Sequence, residues 1–280
     1  MAASRRRIAL VIGSGGIKCA ASIGMWKVLR EELSVDLIVG SSGGSVYAPA
    51  IARGASIDYM AEASREVWTM DVMQGYVANL KAARGGSLKF NERSGLVDDS
   101  VLNKALEKVA LDLSFSDIRI PLKIIATDML SGEKVILSKG KVQDAVRASL
   151  AIPLIFPPWE IDGRLLIDGG VSDPLPIDVA IQEGADIIIA MGFTLSYRTR
   201  FRSMTAVQEQ LNSIYINNIL NSTYAFYNLA HHAEIFPILP EFDEPLSMFD
   251  VDKIPAIIEK GEEATREHLP HIKKLLTALD

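Results

Sequence analysis

The chain has 280 residues, which is enough for one large α/β domain or two small ones with a substantial core. Its formal net charge of -6 and pI near 5.4 argue against a nucleic-acid-binding protein, which would normally carry a basic stripe. The single cysteine, Cys19, excludes an intramolecular disulfide, and no apolar run approaches the ~20 residues of a membrane-spanning helix, so we expect a cytoplasmic protein.

The first fifty residues alternate between strand and helix patterns. They predict a buried strand at 8–12, a glycine loop at 13–16, a helix at 20–33, a strand at 37–39 and a helix from about residue 43. Strands and helices in this order form parallel strands joined by right-handed crossovers, with helices covering the sheet. Reactive side chains in such folds collect at the carboxyl ends of strands, where the glycine loop and Ser42 both lie.

The rest of the chain continues the α/β pattern and ends in helices. Residues 55–100 contain large apolar side chains that favour helical core over a mobile lid. The patterns then predict strands at 120–129, 164–167 and 186–191, helices at 143–150, 177–183 and 203–232, and a final amphipathic helix that Pro270 interrupts. Without a convincing linker, we expect one domain over residues 1–280, with its core motifs in 8–192 and a C-terminal helical part at 203–280.

A serine stands where the second strand turns into the second helix. Gly40, Ser42 and Gly44 form a G-x-S-x-G pattern, which is typical of a nucleophile elbow. The small residues two before and two after the serine allow the strand and the helix to pass closely. The free N–H groups at the start of the helix favour negative charge beside Ser42. The same pattern is also compatible with a tight turn that has no catalytic role.

The glycine loop after the first strand can supply hydrogen-bond donors to an oxyanion. Backbone N–H groups around Gly15 and Gly16 can point outward together and bind an anion. A dinucleotide site fits poorly, because Lys18 stands at the position of the third glycine in G-x-G-x-x-G, and only Asp36 supports that interpretation.

Aspartates are better placed in the sequence than histidines to be the base that activates the serine. Asp128 and Asp168 each end a predicted strand, and the glycines after Asp168 allow its loop to approach a neighbouring strand. We therefore favour Asp168 as the base and expect Asp128 to cap a turn. The four histidines lie in the last fifty residues, outside any strand-end motif: His231, His232, His268 and His271.

Four ordered motifs resemble the patatin-like phospholipase family over about residues 8–192. They are Gly15-Gly16-x-Lys18, Gly40-x-Ser42-x-Gly44, the IPLIFPPWEIDG segment and Asp168-Gly169-Gly170. The resemblance implies a three-layer α/β/α sandwich with a mainly parallel central sheet. It also implies a lipid acyl hydrolase of the phospholipase A, lysophospholipase or carboxylesterase type, which works through an acyl-enzyme and needs no metal or organic cofactor.

The resemblance also implies a role for each matching residue. Ser42 is the nucleophile, Asp168 is its base without a histidine, and the N–H groups of Gly15, Gly16 and Ile17, helped by Lys18, are the oxyanion donors. The chain departs from the family pattern at Ser14, Lys18 and Cys19, where glycine, arginine and glycine are usual. Lysine keeps the positive charge but loses the planar fork of arginine, and we expect Cys19 to be a buried small side chain rather than a reactive thiolate.

Two other functions stay open at this point. A Ser-His-Asp α/β-hydrolase esterase would use a C-terminal histidine, but that fold normally places several strands before its nucleophile. A catalytically silent lipid-binding module would lack the nucleophile or the base, and this chain has both. The expected partner is a lipid or fatty-acyl ester, and apolar residues at 67–80 and 211–236 would shape an acyl pocket, contact a membrane surface, or form core and dimer contacts. The pattern sets no oligomeric state.

Overall fold

The computed structural model describes residues 6–86, 89–230 and 233–277. The strands are β1 (Ile8–Ile12), β2 (Leu37–Ser41), β3 (Leu122–Asp128), β4 (Lys134–Leu137), β5 (Trp159–Ile161), β6 (Arg164–Asp168), β7 (Ile187–Met191) and β8 (Glu234–Ile238). The helices are α1 (Ala21–Leu29), α2 (Gly44–Ala52), α3 (Ile57–Val67), α4 (Tyr76–Arg84), α5 (Ser100–Ala110), α6 (Val142–Ser149), α7 (Ile177–Gln182), α8 (Met204–Ala230) and α9 (Ile254–Thr277).

Within the described residues, these eight strands form one mixed sheet in the order β5-β6-β3-β2-β1-β7-β8, with β4 paired to β3. The strands from β3 to β8 along this order run parallel, which confirms the mainly parallel sheet that the resemblance implies. The strands β4, β5 and β6 are joined to the sheet by antiparallel pairing at one side. Because β6 is antiparallel to β3, it enters the sheet at the carboxyl edge and runs inward.

Helices cover both faces of the sheet. Side chains alternate along β1, so that Leu10 and Ile12 face a core formed with α1, α2, α5, α6 and α9. Ala9 and Val11 face the opposite side, where α7 and α8 pack. A strand that is buried on both faces has a continuous apolar sequence, and this is why β1, β2 and β7 could be predicted from sequence.

Three strands and one helix were not predicted. The strand β4 is half-exposed, β5 has three residues within the proline-rich stretch, and β8 lies at the edge of the sheet and contains Pro237. An edge strand tolerates proline, because no further strand needs the hydrogen bond that proline cannot donate. In a sequence pattern, however, a proline argues against a strand, which is why β8 was missed. The helix α5 begins where the segment 55–100 ends and continues to Ala110, in a stretch to which the sequence patterns assigned no element.

The prediction that Pro270 interrupts the last helix is wrong, because α9 continues through Pro270 to Thr277. Proline removes one hydrogen bond, to the carbonyl of Arg266, which lies on the exposed side of α9, where water can replace the lost donor. Beyond the proline, the fully buried Ile272 packs into the core and holds the last turns in place.

In the segment expected to be helical core, Trp68 is buried and donates a hydrogen bond from Nε1 to the hydroxyl of Tyr47 at 2.9 Å. Met70 is exposed, and α4 has no buried residue. Only part of this segment is therefore core. In the part of the chain that the structure describes, no helix is both long and apolar enough to cross a bilayer.

Candidate active site

Ser42 occupies a strained turn between β2 and α2. Its φ of 52° lies in the left-handed region that side chains other than glycine rarely adopt. The turn also needs a close approach of the chain, since a Cβ at Gly44 would lie 2.2 Å from the carbonyl oxygen of Ile12 on β1. These features match the geometry that the G-x-S-x-G pattern predicts, in which a sharp turn presents one side chain at the carboxyl edge of the sheet.

The hydroxyl of Ser42 donates a hydrogen bond to Oδ2 of Asp168 at 2.7 Å, and both side chains are almost fully buried. Asp168 is the last residue of β6 and pairs with Ala126 on β3, while Ser41 pairs with Ile125 on the same strand. Ser42 and Asp168 therefore lie side by side at the end of β3, although β2 and β6, which carry them there, run in opposite directions. Sequence reasoning expected the carboxylate at this edge but not its arrival on an antiparallel strand.

The carboxylate of Asp168 is held from several sides. Its Oδ1 accepts a hydrogen bond from the N–H of Gly170 at 2.7 Å, and its backbone carbonyl accepts one from Oγ1 of Thr127 at 2.8 Å. Glycine is required immediately after it, since a Cβ at Gly169 would lie 2.2 Å from the carbonyl oxygen of Ile125. These contacts leave Oδ2 aimed at Ser42.

Burial raises the pKa of Asp168 to about 6, although the hydrogen bonds from Ser42 and Gly170 act in the opposite direction. A carboxylate in water is a weak base, because its pKa lies far below neutral pH. The raised pKa leaves Asp168 ionised at neutral pH and at the same time makes it a stronger proton acceptor.

The glycine loop leads from the end of β1 into a short 3-10 helix over Gly16–Ala20 and lies directly against the Ser42 turn. Gly16 has a φ of 57°, and its backbone nitrogen and oxygen are so close to Gly43 that a Cβ on Gly43 would lie within 2.8 Å of both. Among the described residues, the N–H groups of Gly15, Gly16 and Ile17 donate no hydrogen bond. Of these three groups, the N–H of Gly16 lies beside Gly43, the residue that follows Ser42.

Lys18 and Cys19 are both buried in the 3-10 helix that follows the loop. The ammonium of Lys18 donates to the carbonyl of Thr194 at 3.0 Å and lies 5.7 Å from the centre of the Phe242 ring, and burial lowers its pKa. Burial raises the pKa of the Cys19 thiol, with Asp168 adding to the effect, and its Sγ donates to the carbonyl of Gly13 at 3.2 Å. Cys19 is thus the buried small side chain that we expected, and not a thiolate.

Asp128 and Asp36 have structural contacts away from Ser42. The carboxylate of Asp128 accepts hydrogen bonds from Arg164 at 2.7 Å and from the backbone of Leu130 and Ser131, and these contacts lower its pKa. It caps the turn between β3 and β4, as expected. Asp36 accepts a hydrogen bond from the N–H of Ile8 at 2.9 Å and so fixes the start of β1, which leaves little support for a dinucleotide site.

The histidines divide into two pairs. His268 and His271 lie in α9, on the half-buried and exposed sides of that helix. Within the described residues, neither donates to or accepts from Ser42 or Asp168. His231 and His232 lie outside the described residues.

Two residues at the site were missed by sequence reasoning. The N–H of Ser42 donates to Oγ of Ser149 at 2.8 Å, so the last residue of α6 braces the strained turn. Thr127 supports Asp168 from β3. Thr127 stands at the end of a predicted strand, which is a usable signal, whereas nothing local to Ser149 indicates its contact 107 residues away.

Comparison with known proteins identifies relatives of this chain. A family model described as patatin-like phospholipase matches residues 10–181. An uncharacterized NTE family protein of Mycobacterium tuberculosis is 32% identical over 228 residues, which are 81% of this chain and 59% of that protein. The neuropathy target esterase sws of Drosophila melanogaster is 30% identical over 66% of this chain and 13% of that protein. This chain therefore spans about three-fifths of the length of that mycobacterial relative.

The crystal structure of VipD from Legionella pneumophila has a similar fold. It matches with a TM-score of 0.52 and 16% sequence identity, over 96% of this chain and 67% of that chain. At this identity the similarity concerns the fold alone. It agrees with the α/β architecture described above, in which a central sheet lies between helices.

Proposed function

This chain belongs to the patatin-like phospholipase family, and we propose that it is a serine acyl hydrolase that cleaves fatty-acyl esters with a Ser42-Asp168 dyad. The observation that carries the proposal is the 2.7 Å hydrogen bond from the Ser42 hydroxyl to Asp168, made at a turn of positive φ. The family description and the esterase name of the fly relative support an ester of a lipid as the substrate class. Phospholipids, lysophospholipids and simpler esters all belong to that class.

The proposed first step is attack of Ser42 Oγ on the ester carbonyl carbon. The hydroxyl proton passes to Oδ2 of Asp168 while the carbonyl π electrons move to the oxygen, which becomes an oxyanion. The N–H groups of Gly15, Gly16 and Ile17 are the proposed donors to that oxyanion. The tetrahedral intermediate then expels the alkoxide, which takes the proton from Asp168 and leaves as the alcohol, and the acyl group stays on Ser42.

Water repeats the sequence in the second half of the reaction. Asp168 takes a proton from water, the resulting hydroxide attacks the acyl carbon, and the collapse of this intermediate returns the proton to Ser42 and releases the fatty acid. The raised pKa of Asp168 supports this direct role, because a stronger base needs no histidine between it and the serine. For Lys18 we propose a supporting role, in which its ammonium holds the Thr194 carbonyl and steadies the glycine loop.

The proposal is tested by removing the nucleophile and measuring both labelling and turnover. We expect Ser42→Ala to lose fluorophosphonate labelling and to lower kcat on p-nitrophenyl esters and defined phospholipids by at least about 1,000-fold. Ser64→Ala is the matched control, because Ser64 is a buried serine like Ser42 but lies in α3, where its hydroxyl donates to the carbonyl of Met60.

Three outcomes would contradict the proposal. Turnover that persists in a folded Ser42→Ala protein would exclude Ser42 as the nucleophile. A folded wild-type protein that neither labels nor turns over any ester would indicate a lipid-binding module without catalysis. Loss of activity in Ser64→Ala as well would show that any buried hydroxyl matters, and would remove the specific argument for Ser42.

A further inference from the structure

One side of α8 is uncharged and open to solvent, and it carries exposed apolar side chains interspersed with the polar side chains of Gln208, Asn218 and Ser222. Its exposed apolar residues repeat at helical spacing along one side of a helix that is about 40 Å long, as expected for 27 residues. We call them the apolar face of α8: Met204, Val207, Leu211, Tyr215, Ile219 and Phe226. Met204 is 85% exposed, Tyr215 59% and Phe226 60%, so these side chains contribute little to the core.

The opposite side of α8 fixes the direction in which the apolar face points. Leu220 is buried against the sheet, and Asn217 is buried with its amide bonded in both directions to the backbone of Leu195, at 2.8 Å each. A side-chain amide that is satisfied twice by one backbone residue specifies one rotation of the helix. The apolar face is therefore held outward by a specific contact.

A basic segment leads into α8. Residues 197–203 have the sequence YRTRFRS, and all seven are exposed. Arg198, Arg200 and Arg202 alternate there with Tyr197 and Phe201. In the sequence from 197 to 230, these arginines stand against a single acidic residue, Glu209, whereas the whole chain has a net charge of -6. Positive charge and exposed aromatic side chains are thus concentrated at one end of the apolar face.

We propose that the basic segment and the apolar face of α8 bind the surface of a bilayer that contains anionic phospholipids. The arginines match the charge of the lipid headgroups, while the apolar face suits the boundary between headgroups and acyl chains. A nucleic acid would not use the uncharged apolar side chains. A second copy of the chain fits less well, because a contact between identical surfaces offers the arginines a single acidic residue, Glu209, within residues 197–230.

The position of this surface links it to the Ser42 site. The segment that leads from β7 to α8 starts at the carboxyl edge of the sheet, where Phe193 lies against Gly15 and Thr194 accepts the hydrogen bond from Lys18. Bound lipid would thus lie at the same edge as the glycine loop. The consequence for catalysis rests on the proposed function, while bilayer binding itself does not.

The test measures binding of the full chain to vesicles in a Ser42→Ala background, so that the lipid stays intact. We expect binding to vesicles of phosphatidylcholine mixed with phosphatidylglycerol, weaker binding to phosphatidylcholine alone, and loss of binding as salt is raised. Arg200→Glu with Arg202→Glu should weaken binding at least about 25-fold, since each arginine near an anionic surface contributes roughly 5-fold. Met204→Gln with Tyr215→Gln should weaken it about 10-fold or more.

A matched control changes the same charge elsewhere. Arg30 and Arg119 are exposed on the segments that precede β2 and β3, at the amino edge of the sheet, so Arg30→Glu with Arg119→Glu should bind vesicles as the parent does. With Ser42 intact, the Arg200→Glu and Arg202→Glu protein should hydrolyse a soluble p-nitrophenyl ester at the parental rate but hydrolyse anionic vesicles more slowly.

The outcomes separate this inference from the proposed function. Absence of vesicle binding by the parent, or an equal loss in the Arg30 and Arg119 control, overturns the inference. A concentration-dependent dimer that Met204→Gln with Tyr215→Gln dissociates, without vesicle binding, assigns the face to a second copy and also overturns it. Vesicle binding that follows the predicted variants supports the inference even when the parent hydrolyses no ester, a result that would contradict the proposed function alone.

Discussion

Replacing Asp168 by asparagine should stabilise the protein while it removes activity. Asparagine keeps the shape of the side chain, and its amide can accept from Gly170 and donate to Ser42 Oγ, so both contacts have a polar partner. It removes the buried negative charge. Burying the ionised carboxylate is unfavourable, and this raises the pKa of Asp168. The neutral asparagine avoids that unfavourable free energy, so the unfolding free energy should increase.

The magnitude follows from the pKa of the group in the folded and unfolded chains. Asp168 titrates near a pKa of about 6 when folded, compared with 3.8 as its ordinary value. A pKa that is raised on folding means that stability is fully present below the unfolded value and falls as the pH rises through the folded value. The loss is about 3 kcal/mol by about pH 8, but only about 1 kcal/mol at about pH 4.5.

Urea unfolding of both proteins at these two pH values measures the effect. We expect the unfolding free energy of Asp168→Asn to exceed that of the wild type by up to about 3 kcal/mol at about pH 8, and by about 2 kcal/mol less at about pH 4.5. Asp128→Asn is the control of opposite sign, because contacts with Arg164 lower the pKa of Asp128 below its ordinary value of 3.8. Both pH values lie above that titration, so loss of Asp128 should destabilise the protein by a similar amount at each. An Asp168→Asn protein that is less stable than the wild type at about pH 8, or a difference independent of pH, would refute the reasoning.

Three further predictions concern turnover. The logarithm of kcat/KM should rise with pH up to about 6 and then level off, because the ionised form of Asp168 accepts the proton, and a profile without this limb would exclude it as the base. Gly16→Val should lower kcat about 100- to 1,000-fold with little change in KM. Gly54→Val also places a side chain at a positive φ with open space around it, but away from the site, so its kcat should not fall. Equal losses of kcat in the two variants would argue against an oxyanion role for Gly16. Replacing His231, His232, His268 and His271 together by glutamine should leave most of the esterase activity in the folded protein. An inactive variant whose activity returns when one histidine is restored would favour a Ser-His-Asp triad.

The features that the sequence determined by itself are those that depend on neighbouring residues. The buried strands β1, β2 and β7 are continuous apolar runs, and the Ser42 turn needs small residues at fixed offsets. The glycine loop after β1 follows the same rule, since the φ of 57° at Gly16 is a local requirement. Such constraints act within a few residues, so they leave a pattern that can be read without knowing the fold.

Only the tertiary structure decided which distant groups meet. Asp128 and Asp168 both end strands, and in sequence only the glycines after Asp168 favour it as the base. The structure shows that Arg164 binds the first, while the antiparallel β6 carries the second to Ser42, 126 residues away. Contacts between remote segments also decide the hydrogen bond from Ser42 to Ser149, the antiparallel direction of β6 and the position of β8, with its proline, at the edge of the sheet. Burial, which raises the pKa of Asp168, is also a property of the assembled layers, because a side chain loses its water only when other parts of the chain pack around it.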